Sequence, residues 1–99
     1  MKCHSYELFF ETFSNKTRMK IIEALSLGPK SVNEICKSTG EEQSKISHNL
    51  RKLMACNFLD VRKHGKKRIY SLNKDTITPI LQLVEKHVHK YCKEVCAKK

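Results

Sequence analysis

The sequence predicts a mainly α-helical domain with one small β-hairpin, and three observations lead there. Tyr6, Phe9, Phe10 and Phe13 recur at i, i+3, i+4, i+7, and Ile77, Leu81, Val84, Val88, Cys92 and Val95 keep helical spacing near the other end. Between them, a short segment opened by Ser31-Val32-Asn33-Glu34 and closed by Thr39-Gly40 is followed at once by a longer one with a single apolar row. The apolar period becomes two only on either side of Lys63-His64-Gly65-Lys66-Lys67.

In chain order, the first helix carries the aromatic stripe, which needs something large to pack against. Ser14 or Asn15 can cap a second helix, in which Met19, Ile22 and Leu25 form an apolar row, and Gly28-Pro29 ends it. Ser31 to Glu34 has the form of a capping box, with the serine oxygen accepting from the backbone N–H three residues on and the glutamate reaching back. That third helix is short because Thr39-Gly40 breaks it. A fourth runs from about Gln43 to Ala55. Its Ile46, Leu50 and Leu53 fall within roughly 60° of one another at ~100° per residue. Ser44, Ser47, His48 and Arg51 take the opposite side, flanked by Lys45 and Lys52. A short helix, a tight glycine-containing turn and a second helix with a polar, basic outer face make a helix-turn-helix pattern.

Leu59 and Val61 then alternate with Asp60 and Arg62, and Tyr70 and Leu72 with Ile69 and Ser71. With Gly65 at the turn, this is a two-stranded wing carrying Arg62, Lys63, Lys66, Lys67 and Arg68. The last helix begins near Asp75 or Thr78-Pro79, since proline is acceptable in a first turn. The fold class expected is therefore a winged helix-turn-helix, residues 1–99 forming one domain.

Composition narrows the partners. Twenty Lys plus Arg against ten Asp plus Glu give a net charge of +10, which points to a polyanion, either nucleic acid or an anionic membrane surface. No apolar run approaches the roughly 20 residues that span a bilayer. Met1 to Glu7 lacks the apolar core of a signal peptide, so the expectation is a cytoplasmic chain without a membrane partner. Paired carboxylates, a glycine-rich phosphate loop and a motif-borne nucleophile are all missing, so an enzyme is not expected. The five cysteines are an odd number without a disulfide-framework spacing. In a reducing compartment they read as packed small residues, metal ligands or redox thiols.

Three segments resemble the ArsR/SmtB family of metal-responsive repressors. They are Phe10 to Ile22, then Ser31-Val32-Asn33-Glu34-Ile35 with Gly40 to Leu50, and the wing ending in Arg68-Ile69-Tyr70-Ser71-Leu72. The resemblance covers nearly the whole chain in order. It implies a homodimer held by the first and last helices, through Tyr6, Phe9, Phe10 and Phe13 with Leu81, Val84 and Val88. It also implies that the helix after Gly40 enters the major groove of double-stranded DNA, with Gln43, Ser44, Ser47 and His48 at the family's DNA-contacting positions. Glu42 departs from the family, which usually has a serine at that cap. Glutamate caps poorly, although its charge suits the positive end of a helix dipole.

On this reading Gln43, Ser44, Ser47 and His48 read base edges or fix the register, while the basic residues Lys45, Arg51, Lys52, Lys63, Lys66, Lys67 and Arg68 anchor on phosphates. Two metal sites that the resemblance would imply are missing. The three-thiol site places Ser31 and Asn33 beside Cys36, and the last-helix site reads Lys74, Thr76, His87 and Lys90. Cys36 and Cys56 accordingly read as packed core thiols. What remains is His89, Cys92 and Cys96, within about 60° on one helical ridge, with Cys3 as a further donor from the first helix. Two thiolates and an imidazole suit zinc, cadmium or trivalent arsenic as an effector. The alternatives are a DNA-binding regulator with no small effector, a redox-sensing repressor, or a metal-storage or RNA-binding protein on the same fold.

Overall fold

A computed structural model describes residues 5–92. Five helices, α1 (Tyr6–Ser14), α2 (Lys16–Ser26), α3 (Val32–Thr39), α4 (Gln43–Ala55) and α5 (Ile77–Tyr91), surround a small sheet of β1 (Lys30–Ser31), β2 (Leu59–His64) and β3 (Lys67–Leu72). Of the two candidate caps for α2, Asn15 is the one used. Its side chain accepts from the Arg18 N–H at 3.1 Å, and its extended backbone also closes α1. Ser14 instead turns its hydroxyl back onto the Glu11 carbonyl.

The capping box forms in full. Ser31 Oγ accepts from the Glu34 N–H at 3.3 Å, and the Glu34 carboxylate accepts from the Ser31 N–H at 2.8 Å. That backbone N–H, and next the serine hydroxyl, hold the Glu34 carboxyl below the ordinary carboxylate range. The contribution of Glu34 is therefore present above its unfolded pKa and is lost as pH falls through the lowered folded value. We expect Ser31→Ala to remove about 1 kcal/mol of stability, read as an earlier midpoint in urea unfolding with an unchanged slope.

Gly40, in the left-handed region at φ 74°, closes α3 by donating its N–H to the Cys36 carbonyl. Asn57 does the same service for α4 at φ 59°. Its N–H reaches the Met54 carbonyl and the N–H of Phe58 reaches that of Leu53, both at 3.0 Å, which is the Schellman arrangement. The turn places the Phe58 ring wholly inside.

The hairpin gains a third strand that the period-two signal did not reveal. After Gly28-Pro29 the chain is extended for two residues, and Lys30 and Ser31 pair antiparallel with Tyr70 and Ile69. The strand order is β1-β3-β2. Two residues are too few to show a periodicity. The wing loop is Gly65-Lys66 between the paired His64 and Lys67, and Gly65 takes φ 67° at the first loop position, as a type II′ turn requires.

Ile21, Ile22, Leu25, Ile35, Ile46, Leu50, Leu53, Phe58, Leu59, Tyr70, Leu72 and Ile77 form one core between α2, α3, α4 and the sheet. Met19, expected in the α2 row, only borders it. Val61 was expected to face inward with Leu59 but is exposed, because the wing has by then left the body. The aromatic stripe divides. Phe9 and Phe13 close on Phe58, ring centroids 5.1 and 5.7 Å away, whereas Tyr6 and Phe10 remain exposed. In α5, Ile77 is buried and Ile80 and Leu81 pack on the core, while residues 82–91 are exposed.

Candidate nucleic-acid interface

The inward row of Ile46, Leu50 and Leu53 fixes which side of α4 faces out. Gln43, Ser44, His48, Arg51 and Lys52 are exposed there, and Ser47 is half-buried. Glu42, at the N-cap, makes no side-chain capping bond and is exposed, as its chemistry predicted. Lys45 departs from the expected set. Its ammonium lies 3.3 Å from Glu41, whose other oxygen is held by Lys20 at 3.0 Å, so Lys45 is tied to its own protein. The hydrogen bond from Lys20, and next that from Lys45, keep the Glu41 carboxyl below the ordinary range.

The wing brings its cations together. Lys63 stands opposite Arg68, so side chains of like charge share a face. Such pairs oppose strand pairing. Among the described residues none of Arg62, Lys63, Lys66, Lys67 or Arg68 has an ion-pair partner within 4.0 Å, and all are exposed. A row of phosphates would relieve that repulsion. The arrangement offers hydrogen-bonding groups on a helix that can enter a groove, beside a ribbon of unneutralised positive charge.

Sequence reasoning missed the groups that hold α4 in place. Arg18 Nε donates to Asn49 Oδ1 at 3.1 Å, and Asn49 Nδ2 donates to the Lys45 carbonyl at 2.9 Å. The available signal was an amide at the edge of an otherwise apolar row.

A family model described as "Bacterial regulatory protein, arsR family" matches residues 15–61, from the cap of α2 into the first strand of the wing. Over that segment the chain is similar to the arsR family. That family is described as one of bacterial regulatory proteins. The chain is 27% identical over 75 residues to a "Probable mercury resistance operon repressor" of Streptomyces lividans. The match takes in 76% of this chain and 60% of that protein, so the chain spans about 60% of the length of the curated relative.

Two solved structures share the winged helix-turn-helix architecture. Rv0081 of M. tuberculosis is 28% identical with a TM-score of 0.78, over 87% of each chain. The homodimeric winged helix-turn-helix DNA-binding domain of a possible ArsR-family regulator from Mycobacterium bovis is 21% identical, also at 0.78, over 85% of this chain and 78% of that one.

The described thiols are placed unevenly. Cys36 is half-buried against the core and free. Cys56, at the C-cap of α4, also packs on the core but is disulfide-bonded rather than a free thiol. Cys92 caps the end of α5 and is free, and His89, one turn earlier, is exposed 3.8 Å from Glu85. Cys3 and Cys96 lie outside the described residues. Among the described residues no group of three or more His, Cys, Asp or Glu is assembled for a metal, and no helix is long and apolar enough to cross a membrane.

Proposed function

We propose that the chain is a homodimeric, sequence-specific DNA-binding repressor in which α4 reads the major groove and the wing anchors on phosphates. The observation that carries this is the pairing of a polar outward face on α4 with five exposed wing cations that form no ion pair within 4.0 Å among the described residues. Arg51 and Lys52, at the far end of α4, add to the phosphate contacts. Ser47→Ala with His48→Ala should cut preference for the selected operator by about 1–3 kcal/mol per lost base contact. Lys66→Ala with Lys67→Ala should weaken binding to all sequences alike and flatten the salt slope by about 0.9 per lost phosphate contact. The opposite pattern would reverse the assignment of reading and anchoring.

Self-association follows from α1 and α5. Tyr6, Phe10, Leu83, Val84, Val88 and Tyr91 are all exposed. Phe10, Phe13, Met19, Ile80 and Val84 also line an apolar groove of about 590 Å³ between those helices. Phe9, Phe13 and Leu81 are partly engaged in the chain's own core. The M. bovis domain, described as homodimeric, agrees with this reading.

A thiophilic effector would bind at the end of α5. His89 and Cys92 are two donors one helical turn apart, fewer than the four a structural zinc takes, and Cys96 or Cys3 would have to add to the set. Zinc, cadmium and trivalent arsenic are the probes. Cys92→Ser with Cys96→Ser should abolish any release of DNA by these ions under reducing conditions. Release equal to that of the parent would place the site elsewhere.

The redox alternative draws on Cys56, whose disulfide sits at the end of the recognition helix. If it is correct, reductant alone changes operator affinity, and Cys56→Ser removes that change.

A further inference from the structure

Arg18 stands one turn into α2, half-buried, with its backbone N–H already taken by the Asn15 cap. Its side chain crosses to α4 and donates from Nε to Asn49 Oδ1 at 3.1 Å. Asn49 is 7% exposed. It spends the other half of its amide on the Lys45 carbonyl, one turn back along the same helix, at 2.9 Å. An amide that buried is held to the orientation in which both halves are satisfied, because a lost partner inside the protein is not replaced by water.

This geometry constrains the roll of α4. The apolar row Ile46, Leu50 and Leu53 sets which side faces the core, but packing of aliphatic groups is non-directional and tolerates small rotations. A hydrogen bond is directional and tolerates few. Asn49 lies about 100° around the helix from His48 and about 160° from Ser47, so a rotation that breaks its bond to Arg18 swings both outward residues. Lys20 and Glu41 tie the start of the same helix to α2 at 3.0 Å. Arg18 supplies the second attachment, two turns further on.

We propose that Arg18 is a positioning residue that fixes the roll of α4 through Asn49, and so determines operator preference without touching DNA. The inference rests on the reading of α4 as the DNA-reading helix.

The test uses the full chain, a duplex selected from a random pool, and a scrambled duplex of equal length. Affinity for each is followed over a range of salt by fluorescence anisotropy. Folding and self-association of each variant are checked by circular dichroism and sedimentation. Arg18→Gln should lower the ratio of operator to scrambled affinity at least tenfold, with scrambled affinity and salt slope unchanged. Asn49→Leu, of similar volume, should do the same and guards against failure of Arg18→Gln to fold. The double variant should be no worse than the worse single.

Equal weakening of both duplexes with a salt slope lower by about one would make Arg18 a phosphate contact and overturn the proposal. So would losses that multiply in the double variant, or a lowered melting temperature with the ratio intact. A parent with no preference between duplexes would overturn the DNA-reading function itself, and this inference with it. A preference retained in both Arg18→Gln and Asn49→Leu overturns the inference alone.

Discussion

Val84→Glu should convert the chain to a monomer or an aggregate at micromolar concentration. Val84 is 48% exposed on α5 and lines the mainly apolar groove together with Phe10, Phe13, Met19 and Ile80, with Glu11 and Ser14 at its edge. In a two-fold dimer the substitution enters the interface twice. Each glutamate would have to shed its water against hydrocarbon with no partner, at a cost of several kcal/mol per unpaired charge. Dissociation should therefore rise by orders of magnitude, and binding to a palindromic operator should fall toward that of a single half-site. Sedimentation equilibrium reads the first effect and a DNA titration the second. A variant that sediments as a stable dimer would place the interface on another surface.

Phe58→Ala should be the most damaging single truncation. Its side chain is 0% exposed, sits directly after the left-handed Asn57, and meets the rings of both Phe9 and Phe13. Removing a buried phenyl costs about 3–5 kcal/mol, a large share of the roughly 5–15 kcal/mol that holds a domain folded. Loss of this ring also removes the seat of α1, so self-association should weaken together with stability. Urea unfolding followed by circular dichroism measures the first, and a drop below about 1 kcal/mol would contradict the packing described here.

Local signals were enough to read most of the architecture. The Ser31–Glu34 capping box, the Gly40 and Gly65 turns and the limits of α4 each rest on chemistry confined to a few neighbouring residues, and each appears where the residues placed it. The features that were not legible depend on distant parts of the chain. β1 exists because β3 offers it an edge, and nothing in Lys30-Ser31 announces a strand. Phe58 follows a helix rather than belonging to a periodic element, so its place as the seat for the aromatic stripe emerged only in three dimensions. The stripe itself showed that α1 needed a large apolar partner, but not that Phe9 and Phe13 would meet the core while Tyr6 and Phe10 faced away.

The candidate interface follows the same division. Helical periodicity was enough to identify the outward residues of α4, and the glycine turn located the wing cations. Periodicity says nothing of pairing across elements, which is why Lys45 looked like a free cation until Glu41 was found beside it. Arg18 and Asn49, separated by 31 positions, could be joined only by the fold.

The central claim is that α4 and the wing recognise duplex DNA, and a salt-dependent binding measurement tests it most directly. The chain should be titrated against a pseudo-palindromic duplex selected from a random pool, and against its scrambled counterpart, between about 50 and 200 mM salt. The account predicts two chains per selected duplex, a clear preference over the scrambled one, and log affinity falling linearly and steeply with log salt. Equal affinity for both duplexes, or no binding to either at the lowest salt, would contradict it.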